Sequence, residues 1–307
     1  MTIDILMATY NGAKYLQNQL LSLQQQTHSD WKLWVRDDGS TDETVAIIDR
    51  FTKTDSRIKK ITENSGKGLK AGANFLGLTK YSDSEYAIFC DQDDIWFEKK
   101  LELLINFAKA NFDNNYPCLV YCDGYGYSDY EGVITINSIS KYHAKSLKDF
   151  LFFNSGYQGC SILFNANLCR MAASYRADYF YMHDDVVSLL AHVFGQVYFI
   201  PKALMLYRQH SLNVTGNIST GFLDKLRRLI KINSHVIDSK HYSEKKAFFD
   251  SYKEQLSAKD AILFNAYLSF PKKKLMGRVG LILRYGFSIG GYKIPLILKT
   301  IIRRPIG

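Results

Sequence analysis

No apolar run in the 307 residues reaches the roughly 18 positions expected of a membrane-crossing helix. No basic segment followed by an apolar one opens the chain. Its first residues already read as a strand, so a secretory leader is not expected. Cysteine is sparse: Cys90, Cys118, Cys122, Cys160 and Cys169 are an odd, scattered set. That argues against a disulfide scaffold and predicts reduced thiols in a cytoplasmic protein. Cys118 and Cys122 have no second Cys or His pair near them in sequence, so a zinc site is not expected there. The two common glycine-rich phosphate loops, G-x-G-x-x-G and G-x-x-x-x-G-K-[ST], are missing. Internal repeats and low-complexity segments are missing too.

The composition that remains is 47% apolar, 22% charged and 14% aromatic, sufficient for a packed core. The net charge of +9 is unevenly placed. From Phe222 onward there are 18 Lys and Arg against 6 Asp and Glu; the first 221 residues hold 21 against 24. A mildly acidic body joined to a basic tail points to an anionic surface, membrane or nucleic acid, as partner.

The first hundred residues alternate strand and helix four times. Ile3–Thr9 is an apolar strand. Leu16, Leu20 and Leu23 form a helical stripe after it. "KLWVRDDGS" is a second strand running into a turn, and Ser40 with Glu43 has the capping-box spacing before a helix in "TDETVAIIDRF". "RIKKIT", "KGLKAGANFLGLTKY" and "YAIFCD" follow as strand, helix and strand. This alternation predicts a parallel sheet with helices on both faces. Further on, "PCLVYCDGYGYSD", "EGVITIN" and "GCSILF" read as strands and "SLKDFLFF" as a helix. "DDVVSLLAHVFG" is a helix with Val186, Leu189, Leu190 and Val193 on one face, stopping at Gly195. "QVYFIP" and "ALMLYRQH" read as two strands. The expected division is a body, 1–221, and a basic helical region, 222–307. The latter comprises "FLDKLRRLIKI", "LMGRVGLILRYGF" and "IPLILKTIIRRP", whose interleaved aliphatic and basic residues suit the surface of an anionic leaflet, the alternative being ordinary helices packed on the body with a solvated basic face.

Ligands of an open parallel sheet bind beyond the carboxyl ends of its strands. Those ends carry "ATYNG", "DDGSTD" and "DQDD". Carboxylates so close together repel unless a positive charge sits among them. With no glycine cradle, a divalent cation bridging Asp91 and Asp93 to a diphosphate is the simplest solution, as Mg²⁺ is commonly held. Asp94 is the acid with a plain structural use, capping a helix that begins near Phe97. Trp96 is placed to wall a ligand pocket beside these acids.

These segments, "ATYNG", "DDGSTDET", "DQDDIW" and "HDDVVSLLAHVFGQVYFIPKALMLYRQH", resemble the bacterial family 2 glycosyltransferases over roughly residues 2 to 216. The forms "DQDDIW", "HD" and "YRQH" are most similar to the rhamnosyltransferase-like branch. The resemblance implies a GT-A fold, an α/β architecture with a Rossmann-like, mainly parallel mixed sheet flanked by helices, and inversion at the anomeric carbon. It implies that Thr9, Tyr10, Asn11, Asp37 and Asp38 line a nucleoside pocket, that Asp91 contacts the ribose, and that Asp93 and His210 meet the metal, Mg²⁺ or Mn²⁺. Gly159 and Cys160 match the strand entry near donor sugar and acceptor. Lys67 and Lys70 are candidates to reach the diphosphate. Asp184 aligns with the general base, with Asp185 second in line; His183 stands where many relatives have Glu. The processive Q-x-x-R-W signature is absent, which implies transfer of one or a few sugars. The implied donor is a dTDP or UDP sugar, the acceptor a glycan or lipid-linked hydroxyl at the inner face of the plasma membrane. Two other classes remain open at this level. One is a sugar-nucleotide nucleotidyltransferase, whose glycine-rich Arg/Lys loop is not evident here. The other is a basic nucleic-acid-binding protein, which the acidic body fits poorly.

Overall fold

The computed structural model describes residues 2–63, 66–140, 142–154, 156–210 and 234–307. In chain order the elements are β1 (Ile3–Thr9), α1 (Ala13–Gln24), β2 (Trp31–Asp37), α2 (Thr44–Thr54), β3 (Ile58–Lys60), α3 (Lys70–Leu78), β4 (Tyr86–Cys90), β5 (Ile95–Trp96), α4 (Lys100–Asn111), β6 (Cys118–Ser128) and β7 (Val133–Ile136). Then come α5 (Leu147–Phe150), β8 (Ile162–Asn165), α6 (Ala166–Ala173), α7 (His183–Phe194), β9 (Gln196–Gln209) and β10 (His235–Ile237). The last are α8 (Ser239–Tyr252), α9 (Ala258–Ser269), α10 (Leu275–Tyr285), α11 (Lys293–Ile302) and β11 (Arg304–Ile306).

Two compact units emerge. The first comprises Met1–Ser140, Tyr157–Ser174 and Met182–Ile218; the second comprises Lys141–Gly156, Tyr175–Tyr181 and Ser219–Gly307. The second unit is therefore not a simple tail, because two segments from the middle of the chain belong to it. The expected boundary at 221 and the segment "FLDKLRRLIKI" lie outside the described residues.

The first unit is built on a sheet in the order β3-β2-β1-β4-β8-β6-β9-β5, with β7 paired to β6. β3, β2, β1 and β4 are mutually parallel, as the alternation predicts. β8 runs antiparallel to both of its neighbours, whereas β6 and β9 are parallel to each other. β1 and β4 are buried at every position, which is why they read as apolar runs, broken in β1 by Asp4, which accepts from Trp34 Nε1 and Ser82 Oγ. Leu16, Leu20 and Leu23 of α1 are buried against this sheet's core cluster. The strand order turns back between β1 and β4, the switch point where such sheets open a crevice.

Three local expectations are corrected. The capping box does not form: α2 begins at Thr44 with no side-chain cap, because the Ser40 hydroxyl donates to Asp37 and accepts from the Asn11 amide. "QVYFIP" and "ALMLYRQH" are one strand, β9, not two. Its register against β6 slips between Ile200 and Ala203, so Pro201, which has no N–H to give the ladder, is absorbed as a bulge. The helix in "SLKDFLFF" is only the four-residue α5.

In the second unit α8 to α11 surround an aromatic core in which Phe152 meets Tyr267, Phe270 and Phe287 with ring centroids 5.0–5.3 Å apart. β10 and β11 form a short parallel pair. α10 ends at Gly286, whose φ of 72° supplies the left-handed turn that glycine adopts without strain.

Candidate active site

Loops from four strand ends assemble the site, all within the first unit. After β1 the backbone turns sharply at Asn11, with φ of 45°. Four successive amides there are each met by a side chain. Tyr10 N–H donates to Gln92 Oε1 (3.0 Å), Asn11 N–H to Ser40 Oγ (2.8 Å), Gly12 N–H to Thr44 Oγ1 (2.8 Å) and Ala13 N–H to Asp42 Oδ2 (3.1 Å). "DGSTDET" is thus a set of acceptors for the neighbouring loop, which explains why its hydroxyls do not cap their own helix. Gln92 also donates from Nε2 to Tyr10 O at 3.0 Å. A β-carbon on Gly12 would run into the Gln92 side-chain amide and push it off its bonds to Tyr10.

The two acids after β2 hold turns. Asp37 accepts from Thr9 Oγ1 (2.9 Å), Ser40 Oγ, and the amides of Gly39 (3.0 Å) and Ser40 (2.7 Å). Asp38 accepts from the amides of Leu69 (2.7 Å) and Lys70 (2.8 Å), fixing the entry to α3. Thr9, Asp37 and Asp38 are buried, whereas Tyr10 and Asn11 are exposed. Of these pocket candidates, Tyr10 is the large exposed side chain, at 58%. Lys67 and Lys70 are exposed on the neighbouring loop and helix.

After β4, "DQDD" is tied to the end of β9. His210 Nε2 lies 2.8 Å from Asp93 Oδ2. The Arg208 amide donates to Asp94 Oδ1 (3.1 Å), and its Nε to the Asp93 carbonyl (2.8 Å). The Arg208 guanidinium also pairs with Asp129 and stacks over Tyr15. The structure therefore brings together Asp93 and His210, 117 positions apart in sequence. Asp94 is structural as expected, but it binds β9 and does not cap α4, which lacks a side-chain cap. Trp96 is corrected as a pocket wall: it is 3% exposed, its ring beneath the Lys100 ammonium.

Asp91 is half-buried. Burial and the charge of Asp93 push its carboxyl up to about 7. Asp94 is raised well above the usual carboxylate range by burial and then by Asp91 and Asp93. This is the repulsion foreseen in the sequence. Asp93 and His210 fit a divalent cation: atoms 2.8 Å apart can share one coordination sphere, the carboxylate suits Mg²⁺ or Mn²⁺ completed by diphosphate oxygens, and the imidazole favours the softer Mn²⁺ of the two.

The remaining side of the site comes from Gly159, Cys160 and the start of α7. His183 is buried, stacked on Phe75 with centroids 4.2 Å apart and edge-on to Phe89 at 4.6 Å. Burial drives its imidazole down to about 3, so it is neutral. A β-carbon on Gly159 would come within 2.6 Å of His183 Nε2, so this glycine is required by close packing. Cys160 is fully enclosed; burial raises its thiol, which fits a packing residue and not a nucleophile. Asp184 is half-buried whereas Asp185 is only 4% exposed. Asp184 Oδ1 accepts the Asp185 amide at 3.0 Å. Burial, then the charges of Asp185 and Asp91, raise the Asp184 carboxyl well above its ordinary value, a tuning suited to a group that takes up a proton. The influence of Asp91 on it links the base candidate to the metal side of the site.

Three residues of this site escaped the sequence reading: Gln92, Arg208 and Lys100. Gln92 and Arg208 stand inside motifs already singled out, and that position was their only signal. Nothing in sequence distinguishes Lys100 from its neighbour Lys99.

Comparison with known proteins agrees with this geometry. Residues 4–170 match the model of glycosyl transferase family 2. The chain is 31% identical to the dTDP-rhamnosyl transferase RfbG of Shigella flexneri over 240 residues, which covers 73% of this chain and 78% of RfbG. It is 38% identical over 109 residues, 36% of this chain and 42% of the relative, to WfgD of Escherichia coli, a UDP-Glc:alpha-D-GlcNAc-diphosphoundecaprenol beta-1,3-glucosyltransferase. The structure of S. aureus TarS 1-349 in complex with UDP-GlcNAc superposes with a TM-score of 0.57 at 16% identity, covering 98% of this chain and 89% of that one. The mannosyltransferase PcManGT of Pyrobaculum calidifontis, solved with GDP-Man and Mn²⁺, gives 0.51 at 13% identity, covering 97% and 86%. The structural likenesses establish the GT-A fold, and the matched family favours a glycosyltransferase over the nucleotidyltransferase reading. With the strand-end acids, the late histidine and the base candidate meeting in that fold, the chain belongs to glycosyl transferase family 2.

Proposed function

We propose that the protein transfers a sugar, rhamnose from dTDP-rhamnose or a hexose from its UDP donor, to a hydroxyl of a glycan or lipid-linked acceptor in cell-surface polysaccharide synthesis. RfbG and WfgD, which use these two donor classes and in one case a polyprenyl-diphosphate acceptor, support the reading. The observation that carries it is the junction of "DQDD" with "YRQH", which sets Asp93 against His210 at the sheet's switch point.

In this reading Tyr10 lies against the base, and Asp91 contacts the ribose. Asp93 and His210 would hold a divalent cation, which when bound would supply Lewis-acid stabilisation of the leaving diphosphate. The acceptor oxygen attacks the anomeric carbon in line as the bond to the diphosphate oxygen breaks; its proton passes to Asp184. One displacement gives inversion and needs no covalent intermediate.

The chain acts at the cytoplasmic leaflet, held by its second unit. From Pro271 onward there are nine Lys and Arg and no Asp or Glu. Met276 and Leu283 of α10, and Ile294, Leu298 and Ile301 of α11, are exposed at helical spacing. No helix among the described residues is long and apolar enough to cross a membrane. This pattern suits a surface-lying pair of helices.

The test is nucleotide release from dTDP-rhamnose and UDP-hexoses with Mn²⁺ or Mg²⁺, with and without a polyprenyl-diphosphate sugar. Release of dTDP or UDP coupled to product formation is expected; no release from any donor overturns the proposal.

A further inference from the structure

Within the second unit, α10 and α11 are joined by a turn that two bonds close: Ile289 N–H to Tyr292 O at 3.1 Å and Tyr292 N–H to Ile289 O at 3.2 Å. Gly290 and Gly291 take its left-handed positions, with φ of 61° and 85°. A buried acid ties this turn to the start of α5. Asp149 accepts from the Lys145 amide at 2.9 Å through one carboxylate oxygen and from the Ser288 hydroxyl through the other.

Lys145, Lys148 and Lys293 gather on the turn so held. A β-carbon on Gly286 would lie 3.6 Å from Lys148 Nζ and 4.0 Å from Lys293 Cε; one on Gly291 would lie 3.4 Å from Lys145 Nζ. None of these ammonium groups has a hydrogen bond or an ion pair among the described residues. Lys293 is also the first residue of α11, which has no side-chain cap and no acid in its first turn. Like charges repel, and a helix N-terminus favours anions over cations. The arrangement is therefore unfavourable as it stands and suits an anion placed among the three. On either side of Lys293, Tyr292 and Ile294 are 68% and 71% exposed, far too open for core residues.

We propose that Lys145, Lys148 and Lys293 form a site for the terminal phosphate of a membrane lipid, a phosphomonoester or diphosphate headgroup. Lysine serves such groups as a point charge. Three ammonium groups match a phosphomonoester, with nearly two negative charges at neutral pH, better than a singly charged diester. Tyr292 and Ile294 beside the site enter the interface with it, which favours a lipid over free phosphate. The proposal rests on the leaflet reading above and sharpens it: two of the three cations come from the middle of the chain, not from its basic tail.

The experiment is flotation of the full chain with phosphatidylcholine vesicles carrying phosphatidic acid or phosphatidylglycerol at matched surface charge. The wild type is expected to bind the phosphatidic acid vesicles at least about threefold more tightly. K145Q/K148Q loses that preference. K272Q/K273Q, which removes the same charge from exposed lysines elsewhere in the unit, keeps it. No preference in the wild type, or equal loss in both double variants, overturns the proposal. Were K145Q/K148Q to misfold, K293Q, at the exposed head of α11, is read by the same criteria. If the wild type floats with neither vesicle, the leaflet reading falls, and soluble dihexanoyl phosphatidic acid decides the site. A rise in melting temperature in the wild type and not in K145Q/K148Q supports it; no rise, or the same rise in both, overturns it. An equal rise with inorganic phosphate overturns the lipid assignment.

Discussion

At the residue scale, the chemistry turns on which acid is free to work. Asp37 and Asp38 are occupied in turns, Asp94 accepts from β9, and Asp185 is buried in the first turn of α7. Asp91, Asp93 and Asp184 remain partly open. Asp184→Asn is expected to lower turnover by about 10²- to 10⁴-fold while leaving donor binding intact. Steady-state turnover and donor titration check this, and retained turnover would move the base elsewhere. His210→Ala should weaken Mn²⁺ binding by about 10- to 100-fold, read by titration. Gly159→Ala should destabilise by about 1–3 kcal/mol, since the added methyl meets the His183 ring, which packing with Phe75 and Phe89 holds in place. Denaturant unfolding measures it. Asp184, His210 and Gly159 were legible through the resemblance of their motifs to the family, and Asp91 and Asp93 as acids crowded beyond an apolar strand. The sequence hid Lys100 and the bond from Arg208 to Asp93, because both depend on partners 60 or more positions away.

At the element scale, helices and strands were legible where one face or both faces are apolar. β1, β4 and α1 stand where their patterns put them. The capping box was misread for a physical reason: hydroxyls that could cap α2 are better used on the adjacent loop. The end of α2 offers a separate check. Asp55 is its C-terminal cap residue, and hydrogen bonds from Arg57 and Gln24 hold its carboxyl down to about 2. A lowered folded value means the contribution is present at neutral pH and disappears as pH falls toward about 2. Asp55→Asn is expected to cost about 1 kcal/mol at pH 7 after solvent screening, and close to nothing near pH 2. Urea unfolding at both pH values tests the sign.

At the scale of the whole molecule, charge and exposed apolar surface concentrate in the second unit. Its basic excess was legible from composition; its recruitment of 141–156 and 175–181 was not, because those segments join it through aromatic packing such as that of Phe152 with Tyr267, Phe270 and Phe287. Placing Glu at Leu283, Ile294 and Leu298 together should abolish flotation with phosphatidylglycerol vesicles while transfer to a soluble acceptor persists. Equal flotation of variant and wild type would show that the leaflet is not held by this face.

The loop after β1 has a consequence for local motion. Its four amides bond to side chains of Ser40, Asp42, Thr44 and Gln92, not to water, although Tyr10 and Asn11 are exposed. Loop amides ordinarily exchange with solvent almost at once, whereas these can exchange only when two neighbouring loops open with them. Hydrogen–deuterium exchange should therefore find residues 10–13 protected to the same degree as 40–44, rising and falling together as one cooperative patch. Ser40→Ala, which removes the acceptor of the Asn11 amide, should release them as a group.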